Sequence, residues 1–306
     1  MLEVDVIHID PAYREALAAS GLARVDQVLE QVNGRVAAWS RTTDTTLVAG
    51  AANQPGFYVK RYLYPTWIKR IRTMLRGTFF GTHRGQAEYR ALEAMRAAGI
   101  SAVRPAAFGA RRIGHFVAAC FLITEEVPEA SNLTTFAEHV VSGRQPLSPT
   151  ARQAMIHTLA DQVSHMHELG FSHGQLFWRN ILVRSNPDRT PEFFFLDAAP
   201  RRWRKVASSQ PWWQRELSHL TVSGLPFTTR SDRLRFLLRY FRATRLNAEL
   251  KRQAREIAAG ATQWQRHESQ RIKMNRLFDK WNERLMREER LQSSPAVSPA
   301  GPGDLV

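Results

Sequence analysis

Phe171-Ser-His-Gly-Gln-Leu-Phe-Trp-Arg-Asn-Ile-Leu-Val183 decides how this 306-residue chain is read. A polar turn carrying His173, Gln175 and Asn180 runs straight into the β-type run Ile181–Val183. A second β-type run, Phe193-Phe-Phe-Leu196, ends on Asp197. The two runs predict a hairpin with Asn180 at one end and Asp197 at the other. An amide oxygen and a carboxylate would then face the same space, and hard oxygens of this kind suit Mg²⁺. Either residue alone is an ordinary turn asparagine or strand-end aspartate; their order and spacing give the pair its meaning.

Working outward, the chain upstream of residue 128 has a different texture. Val36-Ala-Ala-Trp39, Thr46-Leu-Val48 and Phe57-Tyr-Val59 are short β-type runs separated by Gly and polar residues, and predict an antiparallel meander. Helical periodicity follows over 85–98 through Ala87, Leu92 and Met95, stopping at Gly99. Two further strands are expected near Ala106–Phe108 and Phe116–Thr124. Residues 1–30 read as a short amphipathic helical lead with Tyr13, Leu17, Leu22 and Val28 as its apolar positions. Downstream, Ser148-Pro149 opens and Gly170 closes a helix, and 214–285 are almost wholly helical in pattern. The expected organisation is an N-terminal lead (1–32), a small antiparallel β lobe with one main helix (33–127), a larger and mostly helical lobe (128–290), and a disordered tail (291–306). Ligands favour the cleft between two such lobes.

Phosphoryl transfer from ATP needs few protein groups: a lysine for the phosphates, a carboxylate to fix it, oxygens for Mg²⁺, and a group that orients the attacking hydroxyl. Lys60 ends the run Phe57-Tyr-Val-Lys60, where a strand fixes its direction. Glu88, near the start of the predicted helix, is its candidate partner, with Glu93 as the rival. Asn180 and Asp197 are the candidate metal ligands. Thr42 and Thr43 lie in the stretch 40–56, which lacks a G-x-G-x-x-G pattern, and offer hydroxyls and backbone N–H groups to phosphate.

A catalytic loop of this type reads His-x-Asp-x-x-x-x-Asn-Ile-Leu, and His173, Asn180, Ile181 and Leu182 fit it. Together with Ala87–Gly109, Phe121-Leu-Ile-Thr-Glu-Glu126 and Ser231-Asp-Arg-Leu-Arg-Phe-Leu-Leu-Arg-Tyr240, the chain resembles the lipopolysaccharide kinase (Kdo/WaaP) family over about residues 35–245. The loop wording is also similar to that of aminoglycoside and choline phosphotransferases. The resemblance implies an α+β, bilobal, protein-kinase-like fold and an ATP- and Mg²⁺-dependent kinase of a heptose or Kdo hydroxyl. It implies that Lys60, Glu88, Asn180 and Asp197 serve ATP and Mg²⁺, and that Glu125–Val127 contacts adenine. The sequence departs from the family at Gln175, which stands where the catalytic aspartate is expected. An amide takes no proton near neutral pH but can orient a hydroxyl. The alternative expectation is therefore a pseudokinase that binds nucleotide or glycolipid. Asp161, in the preceding helix, has no evident route to the site.

Charge and composition frame the partners. The net charge of +15 favours polyanions: an anionic glycolipid substrate, an anionic membrane surface or nucleic acid. The basic, aromatic stretch Trp67–Arg84 suits a lipid interface, as does the arginine-rich 230–290 region, although a solvated basic face explains both. Nucleic acid ranks last because no RNA-binding signature is present. The acidic Met1–Asp10 does not read as a signal peptide, and no run approaches the roughly 18 apolar residues of a membrane span. The expected location is cytoplasmic and peripheral, at the inner face of the membrane. Cys120 is the single cysteine, so neither a disulfide nor a cysteine zinc site is expected. Of His157, His165, His167 and His173, the pair His165 and His167 points to different helix faces and His173 reads as a structural loop histidine, so zinc is not expected.

Overall fold

A computed structural model describes residues 3–40, 43–51, 54–64, 82–114, 116–185, 190–198 and 212–293. The chain divides into two units, 1–268 and 269–306; the described residues of the second, 269–293, are helical. Everything below concerns the first unit.

The smaller lobe is a six-stranded sheet in the order β1-β5-β6-β4-β3-β2, every pairing antiparallel. Its strands are β1 (Glu3–Ile9), β2 (Arg35–Ser40), β3 (Thr43–Val48), β4 (Phe57–Leu63), β5 (Pro105–Ile113) and β6 (Phe116–Glu125). The expected meander is β2-β3-β4. Strand β4 alternates as a strand with two covered faces must. Phe57 and Val59 are buried under the short helices α1 (Arg14–Ala19) and α2 (Val25–Glu30), which supply Leu17, Val25 and Val28, and under Leu22 of the turn between them. Lys60 and Tyr62 point to the other face, toward α3 (Arg84–Ala97).

The start of the chain differs from expectation. Glu3–Ile9 is not helical; it is the edge strand β1, paired along its length with β5. The β-branched residues Val4, Val6, Ile7 and Ile9 favour that state. The acids of β1 stay exposed but are paired: Arg111 of β5 meets Glu3 (2.8 Å) and Asp5 (3.0 Å), and also Glu30 of α2. Of the four expected apolar positions Leu17, Leu22 and Val28 are buried and Tyr13 is half-buried.

Helix α3 begins at the cap His83, whose Nδ1 accepts from Gln86 N (3.3 Å), and ends at Gly99 in the left-handed region. Gly85 is what lets α3 lie directly on the sheet, since a Cβ there would run into the Phe121 carbonyl of β6. The segment after α3 then reaches the larger lobe: Val103 N donates to Phe195 O and Phe195 N donates to Ser101 O, both at 3.0 Å. These two bonds tie the helix that carries Glu88 to the strand that leads to Asp197.

The larger lobe holds β7 (Ser131–Asn132), α4 (Leu133–Val141), α5 (Pro149–Glu168), β8 (Ile181–Arg184), β9 (Glu192–Phe195), α6 (Trp212–Gly224), α7 (Arg230–Tyr240) and, of α8 (Ala248–Ser293), the part up to residue 268. Ser148 caps α5 by accepting from Ala151 N (3.1 Å), and Gly170 stops it, as the sequence suggests. The expected hairpin is β8-β9, with β7 added as a third strand. Among the described residues no helix is long and apolar enough to cross a membrane. Of the expected tail, residues 291–293 are still helical; the rest of it, and most of the basic stretch Trp67–Arg84, lie outside the described residues.

Replacing Gly85 by Ala forces α3 off the Phe121 carbonyl. The expected cost is about 1–3 kcal/mol, read as a lower urea midpoint with an unchanged m-value. An unchanged midpoint would mean that α3 is not seated through Gly85.

Candidate active site

Lys60 is the meeting point of both lobes. From β4 its Nζ reaches the Glu88 carboxylate of α3 at 2.9 and 3.3 Å and also pairs with Asp197 beyond β9. Of the two candidate partners, Glu88 is the one brought to Lys60 and is buried, whereas Glu93 is exposed. Burial by itself would strip the Lys60 proton, but Asp197 and Glu88 hold its pKa well above the usual lysine value. Burial raises Asp197 too, and is outweighed by Lys60, which keeps the carboxyl ionised and well below its usual value. For Glu88 burial prevails over Lys60 and the pKa rises. The Tyr62 hydroxyl donates to the second oxygen of Glu88, so lysine and phenol share that carboxylate.

The loop 171–180 is held through its backbone. Asn180 Nδ2 donates to the Gln175 carbonyl (2.9 Å), closing the loop on itself. The Asn180 carbonyl accepts from Leu196 N (3.1 Å), which sets the Asn180 and Asp197 ends of the hairpin side by side. His173 is fully buried and bridges the same two segments. Its Nδ1 accepts from Gln175 N (3.3 Å) while its Nε2 donates to Leu196 O (3.0 Å). Burial lowers its pKa, and the neutral ring is what this pair of bonds requires. Asp197 sits at φ 60, a left-handed conformation that aspartate tolerates better than most residues.

Asn180 Oδ1 receives no hydrogen bond from a described residue, and Asp197 is ionised. These two hard oxygens fit Mg²⁺, which takes few protein ligands and completes its shell with water and phosphate. No cluster of three or more His, Cys, Asp or Glu suited to a metal occurs among the described residues. His167 is instead buried between Tyr240 (2.8 Å) and Glu216 (3.1 Å). Gln175 is half-buried, and its side-chain amide bonds to no described residue. Thr43 opens β3 opposite Tyr62, on the same sheet face as Lys60; Thr42 lies outside the described residues. Glu125 and Val127 connect the lobes. Glu125 accepts from the Tyr13 hydroxyl (2.8 Å), Glu126 exchanges bonds with Gly56 (2.8 and 3.0 Å), and Val127 packs on the larger lobe's core. Asp161 is bound to Arg239 (2.6 Å) on an exposed surface.

The lysine–carboxylate pair and the loop-and-hairpin lie within the part of the chain that a family comparison matches. The model of the lipopolysaccharide kinase (Kdo/WaaP) family matches residues 22–240. The chain belongs to the lipopolysaccharide kinase (Kdo/WaaP) family. Its members are kinases, so the chain is classed with phosphotransferases that act on a sugar hydroxyl. Among similar proteins is the lipopolysaccharide core heptose(I) kinase WaaP of Pseudomonas aeruginosa, 25% identical over 232 residues, covering 71% of this chain and 79% of that protein. A solved structure of WaaP in complex with acyl carrier protein shares the fold, with a TM-score of 0.55 at 22% identity over 89% of this chain and 99% of that one.

The carboxylate that holds the loop is not apparent in the sequence. Glu216, in the middle of α6, is 1% exposed and accepts from Ser172 Oγ (2.8 Å), His173 N (3.1 Å), Gly174 N and His167 Nε2 (3.1 Å). Its signal is a lone acid within Trp212-Trp-Gln-Arg-Glu-Leu-Ser-His-Leu, with nothing local to show that its partners lie more than forty residues upstream.

Burial pushes Glu216 up, but the His167 bond, both histidines and the Gly174 N–H bring it down from 4.5 to about 2. A depressed carboxyl stabilises the fold above its unfolded value and loses that contribution as pH falls. The native state should thus weaken between pH 4.5 and pH 2. Glu216→Gln should be less stable at pH 7 and decline less steeply over that window. Parallel stability–pH curves for the two proteins would remove Glu216 as the anchor of the loop.

Proposed function

We propose that the chain transfers the γ-phosphoryl group of ATP to a heptose or Kdo hydroxyl of the lipopolysaccharide inner core, at the cytoplasmic face of the membrane. The observation that carries this reading is the junction of Lys60, Glu88 and Asp197 across the two lobes. Lys60 holds nucleotide phosphates, and Glu88, itself held by Tyr62, sets the lysine. Asn180 and Asp197 hold Mg²⁺, which when bound offsets charge on the phosphoryl oxygens. Glu125–Val127 borders adenine, and Thr42 and Thr43 cover the phosphates. The net charge of +15 suits an acceptor and a membrane surface that are both anionic.

Gln175 takes the acceptor hydroxyl. Its amide orients the nucleophile without removing the proton. Phosphoryl transfer is largely dissociative, so orientation and charge stabilisation supply most of the acceleration. The absent base costs ~10²–10⁴-fold. That same observation favours a second reading, a pseudokinase that binds nucleotide or glycolipid and regulates envelope assembly.

Single-turnover transfer from γ-labelled ATP to deacylated lipopolysaccharide core separates the readings. Label on the sugar with the parent protein, and none with Asp197→Ala, is the result expected of the kinase. Equal label in both would refute the role given to Asp197. Absence of transfer with nucleotide still bound through Lys60 would leave the pseudokinase. Gln175→Asp is expected to raise the transfer rate by about 10-fold or more; a fall would show that the amide itself is required.

A further inference from the structure

Beside the Lys60 network stands a second cation with a different status. Arg84, the first residue of α3, places its guanidinium 4.6 Å from the centre of the Tyr62 ring, and Lys60 Nζ lies 5.4 Å from the same centre. Tyr62 is 1% exposed and spends its hydroxyl on Glu88. One buried phenol therefore positions three charged groups: Glu88 at its hydroxyl, and Lys60 and Arg84 by ring contact. The two cations differ in what they have left to offer. Lys60 is engaged by two carboxylates. Arg84 makes no ion pair among the described residues, stays exposed, and contributes to keeping Asp197 ionised.

The Tyr62 ring holds the guanidinium where Asp197 and Glu88 attract it, yet among the described residues it forms an ion pair with neither. A fixed guanidinium with open N–H groups is suited to a tetrahedral oxyanion, which its planar fork engages at two oxygens. The charges of the cleft lead the same way. Lys60 and Arg84 balance Glu88 and Asp197, and Gln175 adds no negative charge where an aspartate would. Among the described residues, a phosphate dianion entering this cleft meets no excess of carboxylate from these four groups, and Arg84 is the cation of the two without an ion pair.

We propose that Arg84 is a phosphate-binding residue of the cleft, held by Tyr62, so that the group that fixes Glu88 also fixes the phosphate receptor. The proposal rests on the kinase reading. The phosphate is either the terminal one of the nucleotide or one already carried by the sugar acceptor. Both present the same oxyanion chemistry.

Arg84→Met keeps the length and apolar stem of the side chain and removes its charge and donors. Wild type, Arg84→Met and Arg84→Lys are titrated with a non-hydrolysable ATP analogue plus Mg²⁺, with ADP and with adenosine. Transfer is then measured on deacylated core before and after phosphatase treatment. If Arg84 holds the nucleotide's terminal phosphate, Arg84→Met weakens the ATP analogue by about tenfold or more and leaves ADP and adenosine unchanged. If it holds the acceptor's phosphate, nucleotide affinities stay level, and KM rises by a similar factor for untreated core alone. Arg84→Lys recovers part of the loss in either case. Wild-type behaviour of Arg84→Met throughout, or equal losses for adenosine, ADP and the ATP analogue, overturns the assignment while leaving the kinase reading standing. Wild type that binds no nucleotide overturns both.

Discussion

A buried ammonium shared by two carboxylates from different parts of the chain is the constraint on which the rest of this structure depends. Lys60 belongs to the sheet, Glu88 to the helix lying on it, and Asp197 to the end of a hairpin in the other lobe. Charges removed from water are tolerated only when they are paired and hydrogen-bonded. The three elements must therefore arrive together. The close seat of α3 at Gly85 and the backbone bonds between 101–103 and Phe195 serve this meeting. The Tyr62 hydroxyl completes the coordination of Glu88 and limits where that carboxylate can turn.

The second half of the site is organised by a different carboxylate and by different means. Glu216 collects donors from Ser172, His173, Gly174 and His167, all on or just before the loop. Its four partners answer the desolvation cost of placing a charge in the interior. His173 links that loop to Leu196, and Asn180 returns its amide to Gln175 O. The lobes thus meet at Lys60, while the geometry that would receive an acceptor is set from inside the larger lobe.

What the sequence revealed and what it hid follow one physical line. Lys60, Glu88, Asn180 and Asp197 were legible because each sits at a fixed place on a recognisable strand, helix or turn, in chain order. The strands β2 to β6 and helices α3 and α5 were legible through period-two runs, a Ser-Pro start and glycine stops. β1 was passed over because its acids and the helical spacing of Tyr13 and Leu17 outweighed the alternation of Val4 and Val6. The deciding partner, Arg111, lies more than a hundred residues away. Glu216, Tyr62 and Arg84 were missed for the same reason, since their meaning resides in contacts between segments distant in sequence.

Among the described residues, nothing that shapes the loop uses the side chain of residue 175. Glu216 grips the N–H groups of His173 and Gly174, and Asn180 grips the carbonyl of Gln175. That position is therefore free to drift in evolution without unravelling its support. An ancestor could exchange aspartate for glutamine, or back again, by altering reactivity alone. The fold has separated the inheritance of shape from the inheritance of chemistry.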